Sequence, residues 1–225
     1  MKAARLLTAL AALATVASAG VITQVGSRAG LGANDSLVWG ASGDDGTFPA
    51  TPYTVLSGGG LSVSATGPNG LAIFENGGGN GYSGNFSTGD ILLTSGLASG
   101  PITIDFATAV RGVGFDIASL NFGSFTGTME FYGAGNVLFG SASVNGTSGA
   151  TQDGSAPFLG GTSSARDIVR VVLLMSGAGD ELTINQGSLL TSDVPSGDIP
   201  EPATVALVSA ALAGCLAVRR RRSAF

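Results

Sequence analysis

The sequence predicts an all-β fold, a sandwich or barrel, flanked by an N-terminal signal helix and a C-terminal transmembrane helix. Three observations carry that expectation. Short apolar runs alternate with polar residues at the period of two that places one face of a strand against a core. Clusters of Gly, Asn, Asp and Ser punctuate those runs at the spacing of turns. Between the two ends no stretch keeps a helical period.

Ten strands are expected, over 53–56, 61–65, 71–74, 90–94, 102–106, 110–117, 125–132, 137–143, 168–175 and 181–185. Ile102, Ile104 and Phe106 fall on one face, Thr103 and Asp105 on the other. Val113, Phe115 and Ile117 likewise oppose Gly112, Gly114 and Asp116, and Met129 and Phe131 oppose Thr128 and Glu130. The segment 168–175 is apolar on both faces apart from Arg170, the pattern of a central strand covered on both sides. Asn69-Gly70 and Gly133-Ala134-Gly135-Asn136 supply turns. The glycine-dense stretch 76–84 reads as a long surface loop with Tyr82 as its one adhesive side chain.

Composition narrows the chemistry. There are 37 glycines, only 11% charged residues and no histidine in 225 residues. Arg28, Arg111, Arg166 and Arg170 stand against fourteen acidic residues between 20 and 199, a formal net charge of −10. Such a body repels phosphates, which argues against nucleic acid as a partner. Without histidine there is no Ser-His-Asp triad and no imidazole ligand or base. The one cysteine, Cys215, lies in the C-terminal apolar segment, so the body has neither thiol nor disulfide. No cysteine stands just after the signal cleavage site, which excludes the lipoprotein route.

The N-terminus has the three parts of a secretory signal. Lys2 and Arg5 give the positive region, 6–16 the apolar core, and Ala17-Ser18-Ala19 the small residues signal peptidase needs, with cleavage before Gly20. At the other end Pro200, Glu201 and Pro202 precede an apolar run over 203–218 and a basic cluster, Arg219, Arg220, Arg221 and Arg222. Sixteen helical residues reach roughly 24 Å, short of the ~30 Å hydrocarbon core. The arginines hold the cytoplasmic side and leave the body outside. The prolines keep the junction extended and open to a membrane protease.

This order of motif, apolar segment and arginines resembles the PEP-CTERM sorting signal. The resemblance implies a substrate of an exosortase in a Gram-negative bacterium, cut near the motif and then released or transferred to a surface anchor. A plain single-pass anchor with Pro-Glu-Pro as linker is the alternative. The expected division is signal peptide 1–19, β body 20–192, linker 193–199 and sorting tail 200–225. An inner-membrane intermediate precedes the cell surface or extracellular matrix.

The body carries a second resemblance. Gly84-Asn85-Phe86, Gly89-Asp90, Leu92-Leu93, Pro101-Ile102-Thr103-Ile104, Gly112-Val113-Gly114-Phe115-Asp116-Ile117 and the late segment 180–185 are similar in order to bodies that share this tail. Those bodies imply a jelly-roll-like antiparallel β-sandwich related in shape to carbohydrate-binding modules. They have an aromatic and an aspartate near the last strand, where this chain has Leu182 and Asn185.

The expected function is therefore a non-enzymatic surface or matrix protein associated with exopolysaccharide. A carbohydrate-binding module with a specific glycan is the first alternative, with Trp39 and Tyr82 the glycan-contact candidates and Tyr53 and Tyr132 further platforms. A secreted hydrolase would need a carboxylate pair, and Asp44–Asp45 and Asp180–Glu181 sit at turn-like places. An ice-binding body would need a regular threonine array, and no such repeat is present. No cofactor is expected beyond a structural Ca²⁺, for which Asp180, Glu181 and Asn185 are the oxygen donors available. The Asn-x-Ser/Thr sequons at Asn34, Asn85 and Asn145 match the frequency of these residues.

Overall fold

A computed structural model describes residues 20–40, 44–96, 99–177 and 181–192. Signal peptide, linker, sorting motif and the expected transmembrane helix lie outside these residues. Among the described residues no helix is long and apolar enough to cross a membrane.

The described chain is a jelly-roll-like sandwich of two antiparallel sheets. Its strands are β1 (Ile22–Val25), β2 (Asp35–Leu37), β3 (Tyr53–Leu56), β4 (Ser62–Thr66), β5 (Ala72–Glu75), β6 (Ile91–Thr94) and β7 (Ile102–Val110). There follow β8 (Gly112–Ser119), β9 (Gly123–Gly133), β10 (Val137–Ser148), β11 (Phe158–Ser163), β12 (Ile168–Gly177), β13 (Leu182–Ile184) and β14 (Gly187–Leu190). One helical turn, α1 (Arg28–Leu31), follows β1, capped by the Ser27 hydroxyl on the Gly30 N–H and ended by Gly32 in the left-handed region.

One sheet has six strands in the order β10-β9-β12-β7-β4-β3. The other runs β1-β11-β8-β13-β6-β5, with β14 beside β8 and β2 beyond β14. The inner faces share one core that includes Trp39, Ile104, Phe115, Phe131, Val171 and Ile184. Alternation along β7 and β9 places Ile102, Ile104, Met129 and Phe131 in it, as their spacing predicts.

Two expectations about coverage are corrected. The strand at 168–175 is central, between β9 and β7, but only its inner side is covered, because Leu174 on the outer side is 37% exposed. The strand covered on both sides is β8. Its glycines look polar in the sequence, yet a Cβ on Gly114 would lie 2.3 Å from Phe158 Cζ, so the glycine makes room for a ring. A second small core, Tyr82, Phe86, Leu92, Ala118 and Ala156, covers the outer side of this sheet.

The stretch 76–84 is consequently more than a polar surface loop. Asn76 is fully buried, and its amide nitrogen donates to the Phe86 carbonyl at 2.7 Å while its oxygen accepts from the Gly84 N–H at 2.7 Å. One buried amide thus ties the loop around the outer core, satisfying backbone groups that a buried loop would otherwise leave unpaired.

Candidate functional site

The two aromatic residues expected to contact a glycan are both in the interior. Trp39 has no exposed surface; it stacks on Phe115 with ring centroids 6.0 Å apart, and its indole N–H donates to the Asn185 carbonyl at 2.8 Å. Residues 37 and 39 alternate inward from the end of β2, which is the physical reason Trp39 belongs to the core. Tyr82 packs against Phe74 beneath the outer loop. Burial pushes its phenol up to about 12. Its hydroxyl lies by Thr183, where neither oxygen forms a well-aligned hydrogen bond. Tyr53 packs against the main core and donates its hydroxyl to the Trp39 carbonyl.

Tyr132 is different. It alternates outward from β9, opposite the fully buried Phe131, onto the outer face of the six-stranded sheet. Register builds a row there with one residue from each strand: Leu138, Tyr132, Arg170, Asp105, Ser64 and Thr54. Arg170 Nε donates to Asp105 Oδ1 at 2.6 Å and its Nη1 to Asn136 Oδ1 at 2.7 Å, while the Tyr132 hydroxyl donates to Glu130 Oε2 at 2.5 Å. That hydrogen bond to Glu130, with some burial, raises the Tyr132 phenol.

Along β9 the outward positions continue as Thr128, Thr126 and Ser124, beside Ser143, Asn145 and Thr147 on β10. Thr126 Oγ1 donates to Asn145 Oδ1 at 2.8 Å. From Ser124 to Tyr132 the face extends about 27 Å at the usual strand rise. It ends at the Ser124 side in an open depression of about 500 Å³ lined by hydroxyls and Asn145. The face is hydroxyl-rich and, among the described residues, uncovered.

A second polar cluster sits where the ladder on one edge of β8 passes from β13 to β14. Asn185 leaves the strand there, and its Oδ1 accepts from the Asp116 N–H at 3.2 Å. Asn185 Nδ2 donates to Asp116 Oδ2 at 2.9 Å and to Asp90 Oδ2 at 3.4 Å. Arg28, from α1, closes the cluster through Asp116 Oδ2 at 2.6 Å and Ser188 Oγ at 2.5 Å, with its guanidinium 5.7 Å from the Phe158 ring centre. Arg28, Asp90, Asp116 and Asn185, together with Ser87 and Gln186, line a cavity of about 210 Å³. Arg28 was not singled out from the sequence; with four arginines among so many carboxylates, its scarcity was the available signal.

The two calcium donors among the described residues, Glu181 and Asn185, have separate partners. Asn185 belongs to the Arg28 cluster, Glu181 accepts from Asn121 Nδ2 at 3.0 Å, and Asp180 lies outside the described residues. Among the described residues no group of three or more acidic side chains is placed to hold a metal ion. Asp45 caps the neighbouring turn by accepting from the Glu75 N–H at 3.0 Å and the Asn80 N–H at 3.0 Å. The sequon residues Asn34 and Asn85 hold Thr191 and the Gly149 N–H, respectively.

Three solved structures are similar in outline. CsCBM6-3 from Clostridium stercorarium, solved with cellobiose, is 19% identical, covering 68% of this chain and all of that one at a TM-score of 0.32. A DUF4465 family protein from Bacteroides caccae is 10% identical, covering 70% and 99% at 0.41. A family 6 carbohydrate-binding module is 14% identical, covering 57% and 87% at 0.32. No curated protein matches the chain. Residues 198–222 match the PEP-CTERM protein-sorting motif, around Pro200, Glu201 and Pro202 and through Arg222. The chain is thus a β-sandwich protein bearing a PEP-CTERM sorting motif, the mark of an exported protein that an exosortase sorts through the cell envelope.

Proposed function

We propose that the body is a non-catalytic surface or matrix component that associates with exopolysaccharide along the outer face of its six-stranded sheet. The observation that carries this reading is the uncovered row through Tyr132, Arg170 and Asp105, continued by hydroxyl side chains along β9 and β10. A sugar polymer presents C–H faces and many hydroxyls. Tyr132 offers a ring for the former, and Glu130, Arg170, Asp105 and Asn145 offer hydrogen bonds for the latter. An open track along a strand accepts a chain from its middle, whereas a closed pocket selects an end.

The N-terminal signal delivers the body to signal peptidase, and the C-terminal tail holds it in the membrane until exosortase acts. The test is retention of the processed protein in gels containing purified exopolysaccharide. Tyr132→Ala should weaken retention about tenfold at unchanged melting temperature, the scale of one lost aromatic contact. Equal retention of the variant removes this face from the binding site. Release of new reducing ends during incubation would overturn the non-catalytic part of the reading. A specific glycan module would use the same face but select one sugar among many on an array.

A further inference from the structure

The start of β1 is held by a carboxylate that one amide cannot satisfy. The Gly20 backbone nitrogen donates to Asp167 Oδ2 at 2.5 Å, and the next nitrogen, of Val21, donates to Ser164 Oγ at 3.0 Å. Asp167 Oδ1, the other carboxylate oxygen, is buried with no hydrogen-bond partner. Such an oxygen costs free energy until a donor reaches it. The place is built for glycine: Gly20 is buried, and a Cβ on it would lie 2.0 Å from Ser163 Oγ and 2.9 Å from Asp167 Oδ2.

A peptide nitrogen at Gly20 has one hydrogen to give, whereas a free α-ammonium has three and a full positive charge. The small-residue pattern Ala17-Ser18-Ala19 ends at the bond before this nitrogen. We infer that Asp167, with Ser163 and Ser164, is a receptor for the mature N-terminus, and that signal-peptide removal completes the fold by placing the Gly20 α-ammonium on that carboxylate. Signal peptidase hydrolyses the Ala19–Gly20 amide with water. The carboxylate leaves on Ala19, and the amine on Gly20 takes up a proton, its ordinary pKa being about 8. The new charge faces Asp167, while the nearby Arg111 Nε is engaged by the Ser163 carbonyl at 3.3 Å. β1, which among the described residues is an edge strand paired with β11, gains a charged clamp at its free end.

The composition supplies the experiment. Lys2 is the one lysine of the chain, so after cleavage the Gly20 amine is the only primary amine. The exported, detergent-solubilised protein should begin at Gly20 by intact mass. Its reaction with an acetylating succinimidyl ester should be about tenfold slower folded than in urea, the effect of one pKa unit of stabilised ammonium. Asp167→Asn should restore most of the lost reactivity in the folded protein. A chain beginning at another residue, or equal labelling rates folded and unfolded, overturns the inference even where the variant does not fold. A folded Asp167→Asn protein that labels as slowly as the wild type overturns it as well.

Discussion

The outer faces of the two sheets are opposites. Over the eight-stranded sheet the loops around Asn76 and Phe86 build a second core, α1 lies against β8 and β11, and even a central strand position is a glycine so that Phe158 fits above it. Over the six-stranded sheet no second layer stands among the described residues: hydroxyls, Tyr132, an ion pair and a few aliphatic side chains such as Leu138 and Leu174 face solvent. Sheets bury one face for stability, and antiparallel sheets tolerate water on the other. Covering β8 twice adds stability, and leaving β9 and β12 bare on one side leaves surface for a partner.

The contrast predicts unequal responses to truncation. Phe86 is 1% exposed in the outer core, so Phe86→Ala should cost about 3–5 kcal/mol in chemical denaturation. Thr128→Ala, at an outward position of β9, should fall within about 0.5 kcal/mol. A small loss at Phe86 would show that the second core is a loose cover rather than part of the cooperative unit.

Two ion pairs among the described residues sharpen the same comparison, because their geometry is matched. Arg28–Asp116 and Arg170–Asp105 both close at 2.6 Å. Arg28 also serves Asn185, Ser188 and the Gln186 carbonyl, at a break in the ladder beside β8. Removing it strands the Asp116 charge among polar groups that have lost their common donor. Arg28→Ala should therefore cost about 1.5–3 kcal/mol, reduced toward the lower figure by its partial exposure. Arg170→Ala should cost under about 1 kcal/mol, and less as salt rises. Equal costs would mean that the bare face is more tightly organised than its exposure implies.

The same difference explains what could be read from residues alone. Strands of the six-stranded sheet such as β7 and β9 show in the sequence because one side is wet and polar residues mark it. β12, apolar on both sides apart from Arg170, instead shows as a continuous apolar run and hides its wet side. β1, β2, β11 and β14 were missed. β11 reads Phe158-Leu159-Gly160-Gly161-Thr162-Ser163, and its glycines pass for a turn. In the fold a Cβ on Gly161 would lie 2.7 Å from Phe131 Cζ, so that glycine records a neighbour from the other sheet, which local pattern cannot contain. Tyr132 was among the platforms expected, but residue type could not separate it from Trp39, since only register and alternation decide which ring meets water. The tail was legible in full because its signal is linear: motif, apolar run and arginines are recognised as a peptide rather than as a fold.

The smallest effect lies where the covering loop begins. Asp45 accepts from the Glu75 N–H, its largest influence, and from Asn80, and these hydrogen bonds hold its carboxyl below the ordinary carboxylate value against an opposing desolvation that ranks second. A depressed folded-state pKa contributes stability that is present above the unfolded value near 4 and is lost as pH falls through the folded value. Because Asp45 is only partly buried, water screens much of that contribution, and global stability should barely move. The local signature should still be visible. Between about pH 4 and pH 2 the Glu75 and Asn80 amides should lose protection from hydrogen exchange, while amides of β9 and β12 keep theirs. Asp45→Asn should flatten the pH dependence at those two amides. If protection there falls together with that of β9, the cover over β8 and the bare sheet open as one unit, and the division between the two faces is one of exposure rather than of cooperativity.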